Sequence, residues 1–343
     1  MSPHEKQRLQ NLQILRFVAA FLVVWFHWTS LYASVGHEIR VFQIGVFGVD
    51  LFFVLSGFIM AHMYANARPT SLWFLQRRVA RLLPLYWLAT VLFFVTVQVA
   101  THLSSEPATL VKLAKSLAFI PYLRESDKIQ PLLFLGWTLN YEVLFYVVFA
   151  IGLQTPKPVG VTICLLIGGV TAGYVLQPTQ VIFRFWLEPI LLEFVAGMVG
   201  FKIYDIMRKH PMARLCGVAL MLGGALLCVL LFQRFSHLGT HRIIVFLLPA
   251  TMIVVGASLA PNFSVIWTQV SSKLGDASYA IYLVHPYMMK VLIMALPATF
   301  PFALTSSIMI ITVCAMSYVT FVYFERPAMK AIQKVRLRKE IRT

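Results

Sequence analysis

The chain has 343 residues, of which 59% are hydrophobic and 12% charged, with a mean hydropathy of +0.78. A soluble domain carries about twice that charged fraction, so a water-soluble globular class is excluded. The formal net charge of +16 does not indicate a nucleic-acid partner, because the basic residues fall mostly in short loops between apolar runs, where membrane orientation requires them.

Each apolar run is long enough to cross a bilayer core of about 30 Å. The pattern predicts an all-α polytopic membrane protein with ten spans, at 12–33, 44–64, 82–101, 131–152, 159–177, 181–203, 215–233, 243–259, 277–296 and 302–323. They form one membrane domain over 1–343, with no appended soluble domain. No small-residue cleavage site follows the first run, so it reads as a retained span. An even number of spans puts both termini on one side. With the N- and C-termini cytoplasmic, nineteen Lys and Arg residues lie inside and seven outside, the bias that orients membrane chains.

The first span contains "LRFVAAFLVVWFHW", in which Arg16 and His27 stand eleven residues apart. That is nearly three helical turns, so both share one face, about 16 Å apart along the axis. An ionised side chain at a span centre costs about 2.5–3.5 kcal/mol on insertion scales and usually marks function. Arg16 alone has a plain reading as a cation reaching the headgroups, and His27 alone as a hydrogen-bonded core residue. Their common face, with more buried charge in later spans, favours a functional pair.

The second span reads "GVFGVDLFFVLSGFIM". Gly45, Gly48, Ser56 and Gly57 permit close helix approach, and Asp50 is its one charge, either a partner for an intramembrane arginine or a packing acceptor. The loop "WFLQRRVARLLPLYW" then sets Arg78 and Arg81 one turn apart, close to Pro84. Anchoring a loop inside needs only charge. Three arginines and no lysine point further, to bidentate binding of phosphate or carboxylate.

The stretch 102–130 contains "LVKLAKSLAFIPYL", an expected amphipathic helix on the outer surface. In "GWTLNYEVLFY", Asn140 and Glu142 occupy the outer half of span four, and Glu142 is the carboxylate expected to reach His27. Arg184, Glu188 and Glu193 bring further charge. "DASYAIYLVHPYMMK" carries Tyr282 and His285 three residues apart, with Lys290 beyond, and "YFERPAMK" puts Glu325 at the inner end of span ten. The basic C-terminal tail is expected to rest on anionic inner-leaflet headgroups. Cys164, Cys216, Cys228 and Cys314 lack metal-ligand spacing and read as lipid- or core-facing residues.

These segments, in this order, resemble the membrane acyltransferase-3 family, multi-pass enzymes that O-acylate bacterial cell-surface polysaccharides. The specific parts are the Arg-x10-His spacing and the Arg-x-x-Arg before a proline. The resemblance implies transfer of an acyl group, foremost acetyl, from cytoplasmic acyl-CoA to a hydroxyl of an exopolysaccharide, another envelope glycan or its lipid-linked precursor. It implies a place in the bacterial inner membrane among lipids and polysaccharide-biosynthesis proteins, and no tightly bound cofactor or metal. By motif, His27 is the candidate general base or acyl relay and Glu142 a supporting carboxylate. Arg16, Arg78 and Arg81 are the candidate donor-binding cations. Some members carry an extra esterase-like domain. This chain ends soon after span ten, so the final handover is expected to fall to the membrane domain or to a separate protein.

The chemistry is consistent with that assignment. Acyl transfer from a thioester to an alcohol needs a base, donors for the developing oxyanion and a grip on the carrier. Ser56, Asn140 and Tyr282 are candidate donors, with Asp50 and His285 as candidate supporting groups. The rival class is a transporter or flippase for a lipid-linked saccharide, whose intramembrane charges would line a pathway. Transporters often repeat inverted halves with paired broken spans, and no such echo is visible here.

Overall fold

A computed structural model describes residues 3–100, 106–235, 242–261, 270, 273–297 and 299–340. Among the described residues the regular structure is helical, and the one extended contact is an isolated bridge between Leu123 and Ile129. In chain order the helices are α1 (Pro3–Ser34), α2 (Phe47–Ala67), α3 (Ser71–Val99), α4 (Leu110–Leu117), α5 (Gly136–Gly152), α6 (Pro158–Leu176) and α7 (Val181–Trp186). They continue with α8 (Leu192–Met207), α9 (Ala213–Arg234), α10 (Arg242–Leu259), α11 (Ser278–Ala295), α12 (Phe302–Thr320) and α13 (Arg326–Glu340). A π-helical turn, Phe321–Glu325, joins the last two.

Seven stretches among the described residues are long and apolar enough to cross a membrane: Gln10–Ser34, Gln43–Ala67, Ser71–Val99, Pro158–Leu176, Ala213–Arg234, Arg242–Leu259 and Phe302–Gln333. The other three predicted spans fall short for different reasons. The helix within 131–152 starts only at Gly136. The run 181–203 is broken at Pro189, before which Glu188 is extended and after which a 3-10 turn leads into α8, because proline has no N–H for the helical ladder. Ser278–Ala295 is interrupted in character by His285, Pro286 and Lys290. The predicted third span moves the other way. α3 begins at Ser71, capped by the Thr70 side chain, so Arg77, Arg78 and Arg81 lie on a helix rather than in a loop. The final residue of that predicted span, 101, lies outside the described residues.

The chain forms two compact units, Met1–Asn66 with Glu193–Phe321, and Ala67–Leu192 with Val322–Thr343. In the first, glycines set the helix spacing. A Cβ on Gly48 would strike the Ala19 carbonyl, and Cβ atoms on Gly57 and Gly197 would strike the Phe194 and Val54 carbonyls. α1 and α8 therefore approach α2 backbone to backbone, as small residues allow in membranes. Polar side chains fasten α1 further. Asn11 Nδ2 donates to the carbonyls of Ala257 (3.0 Å) and Ala260 (3.2 Å) at the end of α10, and Trp28 Nε1 donates to Ser306 Oγ at 2.9 Å.

In the second unit, Ser71 Oγ donates to the Ala150 carbonyl at 2.6 Å, holding α3 against α5. The predicted amphipathic helix is α4. Tyr86 and Trp87 of α3 donate to its last carbonyls, at Ser116 and Leu117, which the helix itself leaves without partners. The neighbouring loop is ordered by Glu106, which accepts from Arg124 Nε and the Ser126 N–H, both at 3.0 Å. Burial alone would raise the Glu106 carboxyl, but those hydrogen bonds and the Arg124 charge hold it down at about 2.

Candidate active site

In the first unit, His27 of α1 meets His285 of α11. His27 Nδ1 lies 2.9 Å from His285 Nε2, and the two rings meet edge to edge and nearly coplanar, with 5.1 Å between centroids and 17° between planes. Sequence alone fixes much of this. The proline at 286 has no N–H to give the Tyr282 carbonyl, four residues back. His285 Nδ1 turns to this region of the backbone, 3.0 Å from the Ile281 carbonyl, with the Tyr282 carbonyl beside it. A carbonyl only accepts, so Nδ1 of His285 carries the proton and Nε2 of the neutral ring is an acceptor. His27 must then donate through its own Nδ1, which puts the lone pair of neutral His27 on Nε2. His285 is fully buried and His27 only partly so. One ring is locked by the backbone, and it fixes the tautomer of the other, whose unprotonated nitrogen is the one outside the pair.

Other predicted residues of this unit sort around that dyad. Tyr282 is edge-on to His285 at 6.2 Å and to Phe52 at 6.2 Å. Arg16 donates to Gln13 Oε1 at 3.3 Å on its own helix face. Ser56 lies partly buried on α2. Asp50 takes the plainer of its two readings as an ion-pair partner: Arg242 Nε and Nη2 reach its two oxygens at 3.0 and 2.8 Å. Arg242 stands one residue before the predicted span 243–259, among the seven cations counted outside. It is instead the first residue of α10, turned inward because a buried carboxylate needs a bonded countercharge. The buried Glu193 carboxyl lies beside Asp50, a second acid with no such role in the sequence reading.

In the second unit, Arg78, Arg81, Glu142 and Tyr146 come together. The Arg78 guanidinium carbon sits 5.6 Å from the Phe74 ring centroid and 5.7 Å from that of Tyr146, within cation–π range. The Tyr146 hydroxyl donates to Glu142 Oε1, one turn earlier on α5, and feels the charges of both Arg78 and Arg81. Glu142 thus has its observed partners in its own unit, whereas His27 belongs to the other. Tyr146 was missed by the sequence reading, although its place four residues after a glutamate within an apolar span was a usable signal. Asn140 is buried on α5.

Apolar helices that enclose a hydrogen-bonded histidine pair in one unit and an arginine–carboxylate cluster in the other carry the parts of a membrane transferase. The family described as an acyltransferase domain matches residues 9–322; the chain belongs to it and is a multi-pass membrane O-acyltransferase. It is similar to the exopolysaccharide production protein ExoZ of Rhizobium meliloti (strain 1021), with 37% identity over 263 residues, 75% of this chain and 79% of that protein. No solved structure matches the chain.

Proposed function

We propose that the protein transfers an acyl group, foremost acetyl, from cytoplasmic acyl-CoA to a hydroxyl of an exopolysaccharide or its lipid-linked precursor, in the bacterial inner membrane. The acceptor class rests on the likeness to the exopolysaccharide production protein. The observation that carries the chemistry is the His27–His285 pair. Nε2 of His27 takes the proton of the acceptor hydroxyl as the oxygen attacks the thioester carbonyl. The imidazolium keeps its Nδ1–H bond to His285. Collapse of the tetrahedral intermediate expels the CoA thiolate, which recovers the proton from His27, so the ring returns neutral. Arg16 in the first unit, and Arg78 and Arg81 in the second, are each donor-binding cations, and Glu142, through Tyr146, sets the electrostatics of the arginine cluster. No bound cofactor or metal enters the reaction.

The membrane arrangement belongs to the same proposal: ten spans with both termini cytoplasmic. Asn11 near the start of α1 binds carbonyls at the end of α10, so the two helices run antiparallel, as spans one and eight must.

The test compares purified variants for CoA binding and for acetylation of the glycan. His27→Ala is expected to bind CoA and transfer nothing detectable. Arg16→Lys and Arg78→Lys keep charge without the bidentate fork, so they should bind CoA more weakly and retain turnover at high donor concentration. Loss of CoA binding in His27→Ala, with wild-type binding in both arginine variants, would overturn the assignment.

A further inference from the structure

Where α1 begins and α2, α8 and α10 end, the first unit holds a cavity of about 260 Å³. None of its lining residues enters the transfer chemistry above. One wall is aromatic: Phe201 and Tyr204 of α8 face His62 of α2, whose ring is edge-on to Phe201 at 5.5 Å and 82°. The rim is polar. Asn66 Nδ2 donates to the His62 carbonyl at 2.8 Å, which leaves its Oδ1 as an acceptor and its second N–H as a donor. Arg208 gives both Nε and Nη2 to Asp205 Oδ1 at 2.7 Å, which leaves the remaining guanidinium N–H groups on a side chain 39% exposed, and keeps its guanidinium carbon 6.0 Å from the Tyr204 ring centroid.

Leu12 of α1 also lines the cavity, and its position on the helix supplies a direction. At 100° per residue, Leu12, Arg16 and His27 fall within an arc of about 60°, and Leu12 lies about 22 Å along the axis from His27. One stripe of α1 therefore runs from the cavity, past a cation, to the basic histidine. The cavity is smaller than the ~300–1,000 Å³ that encloses a whole drug-sized ligand, so it suits one end of a long molecule.

Resting on the acyl-CoA reading above, we propose that this cavity seats the adenosine 3′-phosphate end of the donor. The purine is a flat π-system that packs on Tyr204 and Phe201. The Asn66 carboxamide offers the acceptor and donor that read the amino edge of adenine. The exposed Arg208 N–H groups take the 3′-phosphate. Arg16 then meets the pyrophosphate, and the pantetheine arm, of length comparable to the remaining 16 Å or so of helix, delivers the thioester to His27.

The experiment uses the whole protein in nanodiscs with two donors, acetyl-CoA and acetyl-phosphopantetheine, which lacks the adenosine end, and with 3′,5′-ADP as competitor. Asn66→Leu and Arg208→Gln should each raise KM for acetyl-CoA about tenfold, the loss of one good hydrogen bond. KM for the truncated donor should not follow, and inhibition by 3′,5′-ADP should fade. Equal rises for both donors would overturn the proposal and assign the two residues to structure. Unchanged acetyl-CoA kinetics with 3′,5′-ADP still competing would place the adenosine elsewhere. Wild-type protein that accepts neither donor would overturn the acyl-CoA reading itself, and this pocket's role with it.

Discussion

Asp50 is fully buried, and Arg242 meets both of its oxygens from 192 residues away. The two charges were costly to bring out of water, and each now depends on the other. Breaking such a pair costs about 3–5 kcal/mol, because the survivor is left charged and unpartnered. Asp50→Asn should lose that much unfolding free energy in micelles. Arg242→Met should lose at least as much, since it leaves Asp50 beside Glu193 without a cation. At this scale the sequence is legible only where partners share a helix. The common face of Arg16 and His27 follows from 3.6 residues per turn, and so does the Glu142–Tyr146 contact. Arg242 reads as a loop cation because nothing near residue 242 reports a carboxylate on α2. His285 is intermediate: the following proline betrays the backbone defect that its own ring uses, but the ring it pairs with lies on another helix.

The helices themselves are bounded by apolar length and by the residues that interrupt it. Gly57 and Gly197 do more than permit close approach, because each faces a backbone carbonyl of the opposite helix that has no rotamer to move. Gly57→Ala should therefore cost about 1–3 kcal/mol through backbone shift and lower the thermal midpoint of the purified protein. Gly160→Ala, on α6 with nothing within 4 Å of the added methyl, should leave the midpoint unchanged or raise it. The glycine pattern of span two was readable as a packing motif. The partners were not, because small residues announce closeness without saying to whom. The broken run at Pro189 was misread for a related reason: total hydropathy over 181–203 remains high while the hydrogen-bond ladder within it is cut.

For the whole molecule, the distribution of Lys and Arg carries the orientation. A single cysteine at the exposed Ser126, in a version lacking Cys164, Cys216, Cys228 and Cys314, should react with an impermeant maleimide in spheroplasts. A cysteine at the exposed Ala67 should react only after the membrane is opened. The opposite pattern would reverse the topology and remove acyl-CoA from the side on which Arg16 stands.

The first unit is discontinuous, made from the opening 66 residues and from 193–321, with the segment between them belonging to the second. His27 and His285, which must touch for the proposed chemistry, are separated by 258 residues. At ribosomal rates of about 5–20 residues per second, α1 waits about 13–50 s in the bilayer before its partner helix exists. For most of that interval Asn11 lacks the α10 carbonyls and Asp50 lacks Arg242. A nascent chain stopped anywhere before α11 therefore carries His27, the proposed base, with no partner ring to hold it. If the histidine pair does the proposed chemistry, competence arrives late in synthesis, with the helix that brings residue 285 into the membrane.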